Sequence, residues 1–238
     1  MNDTYAATAE FFDVLSGPYW SSRGPLVGAA LGRAKPEAGP ILDVGSGTGH
    51  AAGVIARAVP RADIICLEPS PAMRSALTSR ILADAALTSR VTVLPDKLED
   101  AELPDRLGGV IAFGVIGSLE EADRRSFWKM LAERLSPGAP AVVDVMNIDA
   151  TQRARPARVA ERQVGRQSYE AWLSVEGDGP DRVRLVMTYR VLRDGTLLRE
   201  HGDEHSWAAL TLPALAAEAE QAGLTCTELA KDVALLRL

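Results

Sequence analysis

Three acids, each closing an apolar run, and a glycine cluster behind the first are the residues here whose types and spacing suit chemistry. Asp43 lies in "LDVGSGTGH", where Gly45, Gly47 and Gly49 fall in five positions. Glu68 ends the run in "ICLEPS", and Asp96 follows the run in "VLPDKLED". The glycines permit positive φ angles and let a ligand approach bare backbone. A helix starting directly after them offers free N–H donors. A tight turn with no ligand is the ordinary alternative. The dinucleotide fingerprint G-x-G-x-x-G would place a glycine at position 50, which is His50 here, so the spacing is G-x-G-x-G. A pyrophosphate also gains nothing from Asp43, whereas a group bearing an amine or a positive charge tolerates it. Glu68 is placed to accept from two ribose hydroxyls, and Asp96 from an adenine amino group. Together these features describe a nucleoside with a cationic amino-acid tail.

These residues need a scaffold that holds them at one edge. From residue 40, short apolar runs ("PILDVG", "ADIICLE", "RVTVLPD", "GGVIAFGVIG", "APAVVDVMN") alternate with helical patterns. Ser70 caps and Pro71 opens the helix after the second run. Such alternation predicts an α/β fold with a Rossmann-like, doubly wound, mostly parallel sheet, whose ligands sit beyond the carboxyl ends of the strands. Residues 1–39 read as a helical lid with a turn at "GPYWSSRGP", and 40–148 as the ligand-binding core. Residues 149–210 read as an antiparallel meander added to the parallel sheet, with "RDG" as a hairpin turn. Residues 211–238 supply a closing helix and two short strands, and the whole is expected to be a single domain.

Composition narrows the function classes. The net charge of -6 argues against the basic surface that nucleic acid requires. Cys66 and Cys226 lie far apart with no C-x-x-C spacing, so neither a disulfide framework nor a zinc site is expected. That pattern suits a reducing cytoplasm, and no apolar run approaches the ~20 residues of a membrane span. Exposed edge strands in the meander offer a surface for a homodimer.

The motifs "LDVGSGTG", "ICLEPSPAM", "LPDKLED" and "GVIAFGVIGSLEEADRRSFWKMLAERLSPGAPAVVD" span about residues 40–146. In order and spacing they resemble the class I S-adenosylmethionine-dependent methyltransferases. That resemblance implies S-adenosyl-L-methionine as cofactor, a loop of Gly45, Gly47 and Gly49 at its methionine part, and Asp43 supporting the loop or the amino group. It implies Glu68, with Pro69, at the ribose, and Asp96, with Lys97, at the adenine. Phe113 joins the cofactor set, and Arg23 stands where a partner for the cofactor's carboxylate is often found. The loop after the fourth strand, "FGVIGSLEE", lacks the proline–aromatic signature of base-amino methylating enzymes. The stretch "TYRVLRDGTLLREHGDEHSWAALTLPALAAEAEQAGL" is similar to small-molecule methyltransferases, including amino-sugar N-methyltransferases, and "TYAATAEFFDVL" resembles their N-terminal lid. Tyr5 would then be an active-site lid residue, with Trp20, Ser118 and Trp207 facing the acceptor. Where those sugar enzymes tend to carry a histidine, this chain has Ser118.

A hydroxyl or carbon acceptor would need a general base, whereas a neutral amine needs little beyond positioning. Of three histidines, His50 reads as structural or cofactor-adjacent. His201 and His205 share a strand face with Asp203 and Trp207, which makes His205 the base candidate if that face meets the cleft. An exposed polar edge is the alternative. Tyr5, Phe11, Phe12, Tyr19 and Trp20 either cover a sulfonium or pack a lid helix. The run "RARPARVAERQVGRQ" is expected to be a solvated helix face, with an anion site as the alternative. The expected activity is methyl transfer to a small organic acceptor, at N or O. A cofactor-binding protein without catalysis is the rival, and a nicotinamide dehydrogenase fails on loop spacing.

Overall fold

Strand β1 (Ile41–Val44) is buried along its whole length and pairs in parallel with β2 (Ile64–Leu67) and with β4 (Gly109–Ala112). The computed structural model describes residue 3 and residues 5–238. Adding β3 (Val91–Leu94), β5 (Ala141–Asp144), β10 (Thr225–Ala230) and β11 (Val233–Arg237) completes a seven-stranded sheet, ordered β10-β11-β5-β4-β1-β2-β3. The order reverses beside β1, so the loops after β1 and β4 open into the crevice expected to hold a ligand. Both faces are covered. Helices α5 (Glu121–Arg134) and α6 (Leu212–Gln221) bury Phe127, Trp128, Leu131 and Leu215 on one side. On the other lie the carboxyl half of α1 (Ala9–Leu31), α2 (His50–Ala58), α3 (Pro71–Leu82) and the one-turn α4 (Ala85–Thr88).

Three expectations about the flanks are corrected. The lid does not break at "GPYWSSRGP": α1 runs 23 residues through Pro18 and Pro25. Each interior proline costs about 3 kcal/mol by propensity. Burying Phe11, Val14, Val27 and Leu31 offsets this at about 1.5–3 kcal/mol for each large side chain. The meander also does not extend the parallel sheet. β6 (Ala154–Val164), β7 (Gln167–Gly177), β8 (Arg182–Arg193) and β9 (Thr196–Ala208) form a separate four-stranded antiparallel sheet. The edge of the parallel sheet is taken by β11 and β10, the closing pair. The second sheet buries its own apolar face, where Phe11 of α1 stacks on Tyr189 and packs with Met187 and Val191. Asp194 and Gly195, at φ 51° and 76°, make the two-residue turn between β8 and β9. The basic run expected as a helix face is the edge strand β6, where Pro156 is tolerated beside a shift in register.

Candidate functional site

The glycine loop sits where β1 ends. Gly45 and Gly49, at φ 66° and 89°, leave no room for larger residues: a Cβ would lie 2.6 Å from Val115 Cγ2 or from Leu77 Cδ1 respectively. Gly47, also at positive φ, lies against Phe12 of α1, 3.2 Å from where its Cβ would be. The loop is fixed from below by Glu68, which is buried at the end of β2. Gly47 N–H donates to Glu68 Oε2 at 2.7 Å and Ser70 N–H to Oε1 at 2.8 Å. Burial raises the pKa of this carboxyl, against the lowering effect of those two donors. A carboxylate has about four acceptor positions, so each oxygen keeps one for a ligand hydroxyl.

Asp43 lies beneath the loop rather than on its surface, 2% exposed, with Cys66 Sγ 3.8 Å from its Oδ2. Burial pushes its pKa up to about 7. Asp96 is half-buried after β3, and no side-chain hydrogen bond engages it among the described residues. Its neighbour Lys97 is exposed and 3.7 Å from Glu99, and Pro69 is exposed with its carbonyl accepting from Arg74 at 2.7 Å. Arg23 is not aimed at the loop. It pairs with Asp232, in the turn between β10 and β11, at 2.7 Å. Phe113 is half-buried after β4, 5.0 Å from Trp20 and 6.2 Å from Tyr19 between ring centroids.

A second group of residues gathers a separate cleft of about 330 Å³, lined by Tyr5, Ser118, Asp203, Glu204, His205, Ser206 and Trp207. The alternation of β9 turns His201, Asp203, His205 and Trp207 toward one face, as the strand period requires. Tyr5 stacks on His205 with centroids 5.6 Å apart, and the buried Tyr5 hydroxyl has its pKa raised by burial and then by Glu68 and Asp203. Tyr5 N–H donates to Asp3 Oδ1 at 3.0 Å, and Asp3 Oδ2 accepts from Ser70 Oγ at 3.0 Å and from Ala72 N–H at 3.1 Å, which ties the Tyr5 segment to the residues that follow Glu68. Ser118 closes a 3-10 turn at Ile116–Ser118 and is exposed, its hydroxyl donating to Val115 O at 2.7 Å. Trp20 stands apart from this group. It stacks on His50 at 6.5 Å in a shallower groove with Arg57 and Arg162.

Sequence reasoning missed three contributors. Asp13 on α1 accepts from Thr48 Oγ1 at 2.5 Å and pairs with His50 at 3.1 Å and Arg80 at 2.6 Å, tying the lid to the glycine loop. Burial raises its pKa, but the donors from His50 and Thr48 prevail and hold it at about 2. Gly117 lies under Trp207, and a Cβ there would be 1.8 Å from the indole Nε1. Buried Thr8 donates to Asp203 Oδ2 across 195 residues. None of these carries a local signal, since each is defined by a partner distant in the chain. Tyr19, on α1, donates to Asp144 Oδ2 at 3.0 Å, while Gly114 N–H donates to Oδ1 at 2.7 Å. Burial raises the Asp144 carboxyl to about 6.

The residues fit the nucleoside ligand that the sequence implies: a bare-backbone cradle, a buried carboxylate with spare acceptors, and a half-buried acid after β3. No helix among the described residues is long and apolar enough to cross a membrane. Residues 41–138 match the family described as "Methyltransferase domain". A search of curated proteins finds no significant match. Among solved structures, DesVI of Streptomyces venezuelae is 18% identical, with a TM-score of 0.77 over 100% of this chain and 99% of that one. The sugar N-methyltransferase KedS8 from Streptoalloteichus sp ATCC 53650 is 17% identical, with a TM-score of 0.76 over 100% and 95%. SAM-bound CalS10, an amino pentose methyltransferase from Micromonospora echinaspora, is 17% identical, with a TM-score of 0.72 over 93% and 95%. Residues 41–138 thus resemble a methyltransferase domain, and the whole chain has the fold of these methyltransferase structures.

Proposed function

We propose that the protein transfers a methyl group from S-adenosyl-L-methionine to a small organic acceptor, an amine of sugar-like size. The observation that carries this reading is the cleft of Tyr5, Ser118, His205 and Trp207, tied through Tyr5 and Asp3 to Ser70, whose N–H donates to Glu68. The cofactor, when bound, supplies an electrophilic methyl group on a sulfonium. Gly45, Gly47 and Gly49 would face its methionine part with Asp43 beneath them, Glu68 and Pro69 its ribose, and Asp96 and Lys97 its adenine. Phe113 would pack beside it. On the acceptor side, Ser118 and Trp207 form walls and Tyr5 the cover, so that chemistry rests largely on positioning. Trp20 backs Phe113 rather than the acceptor cleft. The amine preference is supported by the likeness to KedS8 and CalS10, described as a sugar N-methyltransferase and an amino pentose methyltransferase. The acidic balance of the chain and the two free thiols fit a cytoplasmic enzyme that acts on metabolites rather than nucleic acid. The edge strand β6 is the surface we expect to pair in a homodimer.

The test combines calorimetry with S-adenosylhomocysteine and mass spectrometry of products from labelled S-adenosylmethionine with amino sugars, other amines and phenols. Binding together with labelled methylamine product supports the proposal. Binding with no product from the panel supports the rival, a cofactor-binding protein without catalysis.

A further inference from the structure

We infer that His205 and Asp203 form a proton-accepting dyad for the acceptor, held in place by Thr8 of the N-terminal segment. This rests on reading the Tyr5–Ser118–Trp207 cleft as the acceptor site. His205 and Asp203 are alternate residues on the same face of β9, and His205 Nε2 lies 3.1 Å from Asp203 Oδ2. The same oxygen accepts from the buried Thr8 hydroxyl, which leaves the carboxylate little freedom to turn. The imidazole is held on a second side by the stacked Tyr5 ring, at an interplanar angle of 19°. A neutral imidazole beside a carboxylate keeps its proton on the nitrogen facing it. Nδ1 is then the basic nitrogen, and no side chain engages it among the described residues.

An amine acceptor arrives at neutral pH mostly as an ammonium, with its lone pair held by a proton. His205 Nδ1 takes that proton and becomes imidazolium, stabilised by Asp203, and the freed nitrogen lone pair forms the bond to the incoming methyl carbon. The carbon–sulfur bond breaks with its electron pair to sulfur, and imidazolium then releases the proton to water, so charge and atoms balance. Ser118 occupies the fourth-strand loop but cannot accept a proton near neutral pH, and its hydroxyl is turned to Val115 O. The other titratable groups around the imidazole are the neutral Tyr5 hydroxyl, Glu204 with Arg184 3.9 Å from it, Glu68, whose charge acts on Tyr5, and Arg182, which donates to Ser206 of the cleft and pairs with Glu120 at 3.0 Å. Their balance favours a cationic acceptor.

His205 is thus the catalytic residue, and Asp203 and Thr8 are positioning residues. Three variants test the assignment: His205→Gln, Asp203→Asn and Thr8→Val. For the unaltered protein, kcat should rise with pH through one ionisation. His205→Gln should lower kcat about 100-fold and erase that limb while leaving the affinity for S-adenosylhomocysteine within about twofold. Asp203→Asn and Thr8→Val should lower kcat less, with KM nearly unchanged. Nitrogen-15 NMR of labelled histidine, recorded on the protein alone, should show His205 protonated at Nε2, and that preference should be lost in Asp203→Asn. A kcat for His205→Gln within about threefold of the unaltered protein overturns the dyad. So does a tautomer ratio that Asp203→Asn leaves unchanged, a measurement that stands even if His205→Gln fails to fold. If the unaltered protein binds S-adenosylhomocysteine but methylates no amine, the proposed function fails instead, and the NMR result still decides the dyad.

Discussion

The two halves of the candidate site are built in opposite ways. The cofactor end is made of backbone and buried acids on consecutive βα units: a glycine loop, Glu68 holding Gly47 N–H, and Asp43 below the surface. The acceptor cleft is made of half-exposed side chains from three places far apart in the chain: Tyr5, the turn at Gly117 and Ser118, and strand β9. In the first half a ligand would be recognised by main-chain geometry that tolerates little change. In the second it would be recognised by side chains on a separate sheet, which can vary without disturbing the parallel core. One methyltransferase fold can therefore keep its cofactor while changing its acceptor.

That contrast is sharpest at Glu68. Glu68→Ala removes the acceptor for Gly47 N–H and Ser70 N–H together with both positions open to ribose hydroxyls. Lost hydrogen bonds to a charged group amount to about 3 kcal/mol here, or more than 100-fold in affinity for S-adenosylhomocysteine by calorimetry. An affinity within tenfold of the unaltered protein would show that the loop binds without its buried anchor. It would also dissolve the distinction between a rigid half and an adaptable half.

The acid beneath the loop makes a separate prediction about pH. Asp43 has a folded pKa of about 7, above the ordinary carboxyl value near 3.9 that the unfolded chain shows. Between those values the folded state holds a proton that the unfolded state has released, so stability falls as pH rises through that window. Asp144, at about 6, acts in the same direction. Denaturant unfolding should give about 4 kcal/mol less stability at pH 8 than at pH 5, and Asp43→Asn should remove about two thirds of the difference. A flat profile for the unaltered protein would mean that Asp43 is ionised in the folded state.

On the acceptor side, Gly117→Ala places a methyl group inside the Trp207 indole position, so the ring must move. The expected result is a rise in KM for the acceptor of about tenfold, or ~1.4 kcal/mol, with cofactor affinity unchanged. A loss of S-adenosylhomocysteine binding from this substitution would join the two halves that the structure separates.

What the sequence made legible follows the same division. The parallel core is readable because its central strands β1 and β4 are buried on both faces and the helices between the strands repeat at 3.6 residues, so the pattern is local. The acids and glycines of the cofactor end inherit that order, since their place at strand ends is fixed by it. The lid misleads because the prolines, glycines and serines of "GPYWSSRGP" are turn formers by propensity, while the burial of Phe11 and Leu31 at either end keeps α1 helical. The run around Arg158 reads as a helix face, because pairing with β7 leaves little mark on an exposed edge strand. The meander's alternation was visible, but alternation does not say which sheet a strand joins. Thr8 against Asp203 and Gly117 against Trp207 are contacts between distant segments, and no window of sequence contains both partners.

Arg23 is where sequence and structure make opposing statements, and its expected effect is the smallest. Its position before the glycine loop suggests a partner for the cofactor carboxylate, yet it pairs with Asp232 at 2.7 Å and so joins α1 to the β10–β11 turn. Both side chains are only partly exposed, so the pair contributes about 1 kcal/mol or less. Arg23→Gln should therefore lower the unfolding free energy by that amount and change affinity for S-adenosylhomocysteine less than about twofold. A tenfold loss of affinity with unchanged stability would mean that the guanidinium leaves Asp232 when the cofactor binds. The cofactor end would then rely on a movable side chain of the lid, and the line between its backbone-built half and the adaptable acceptor half would run through α1 rather than beside it.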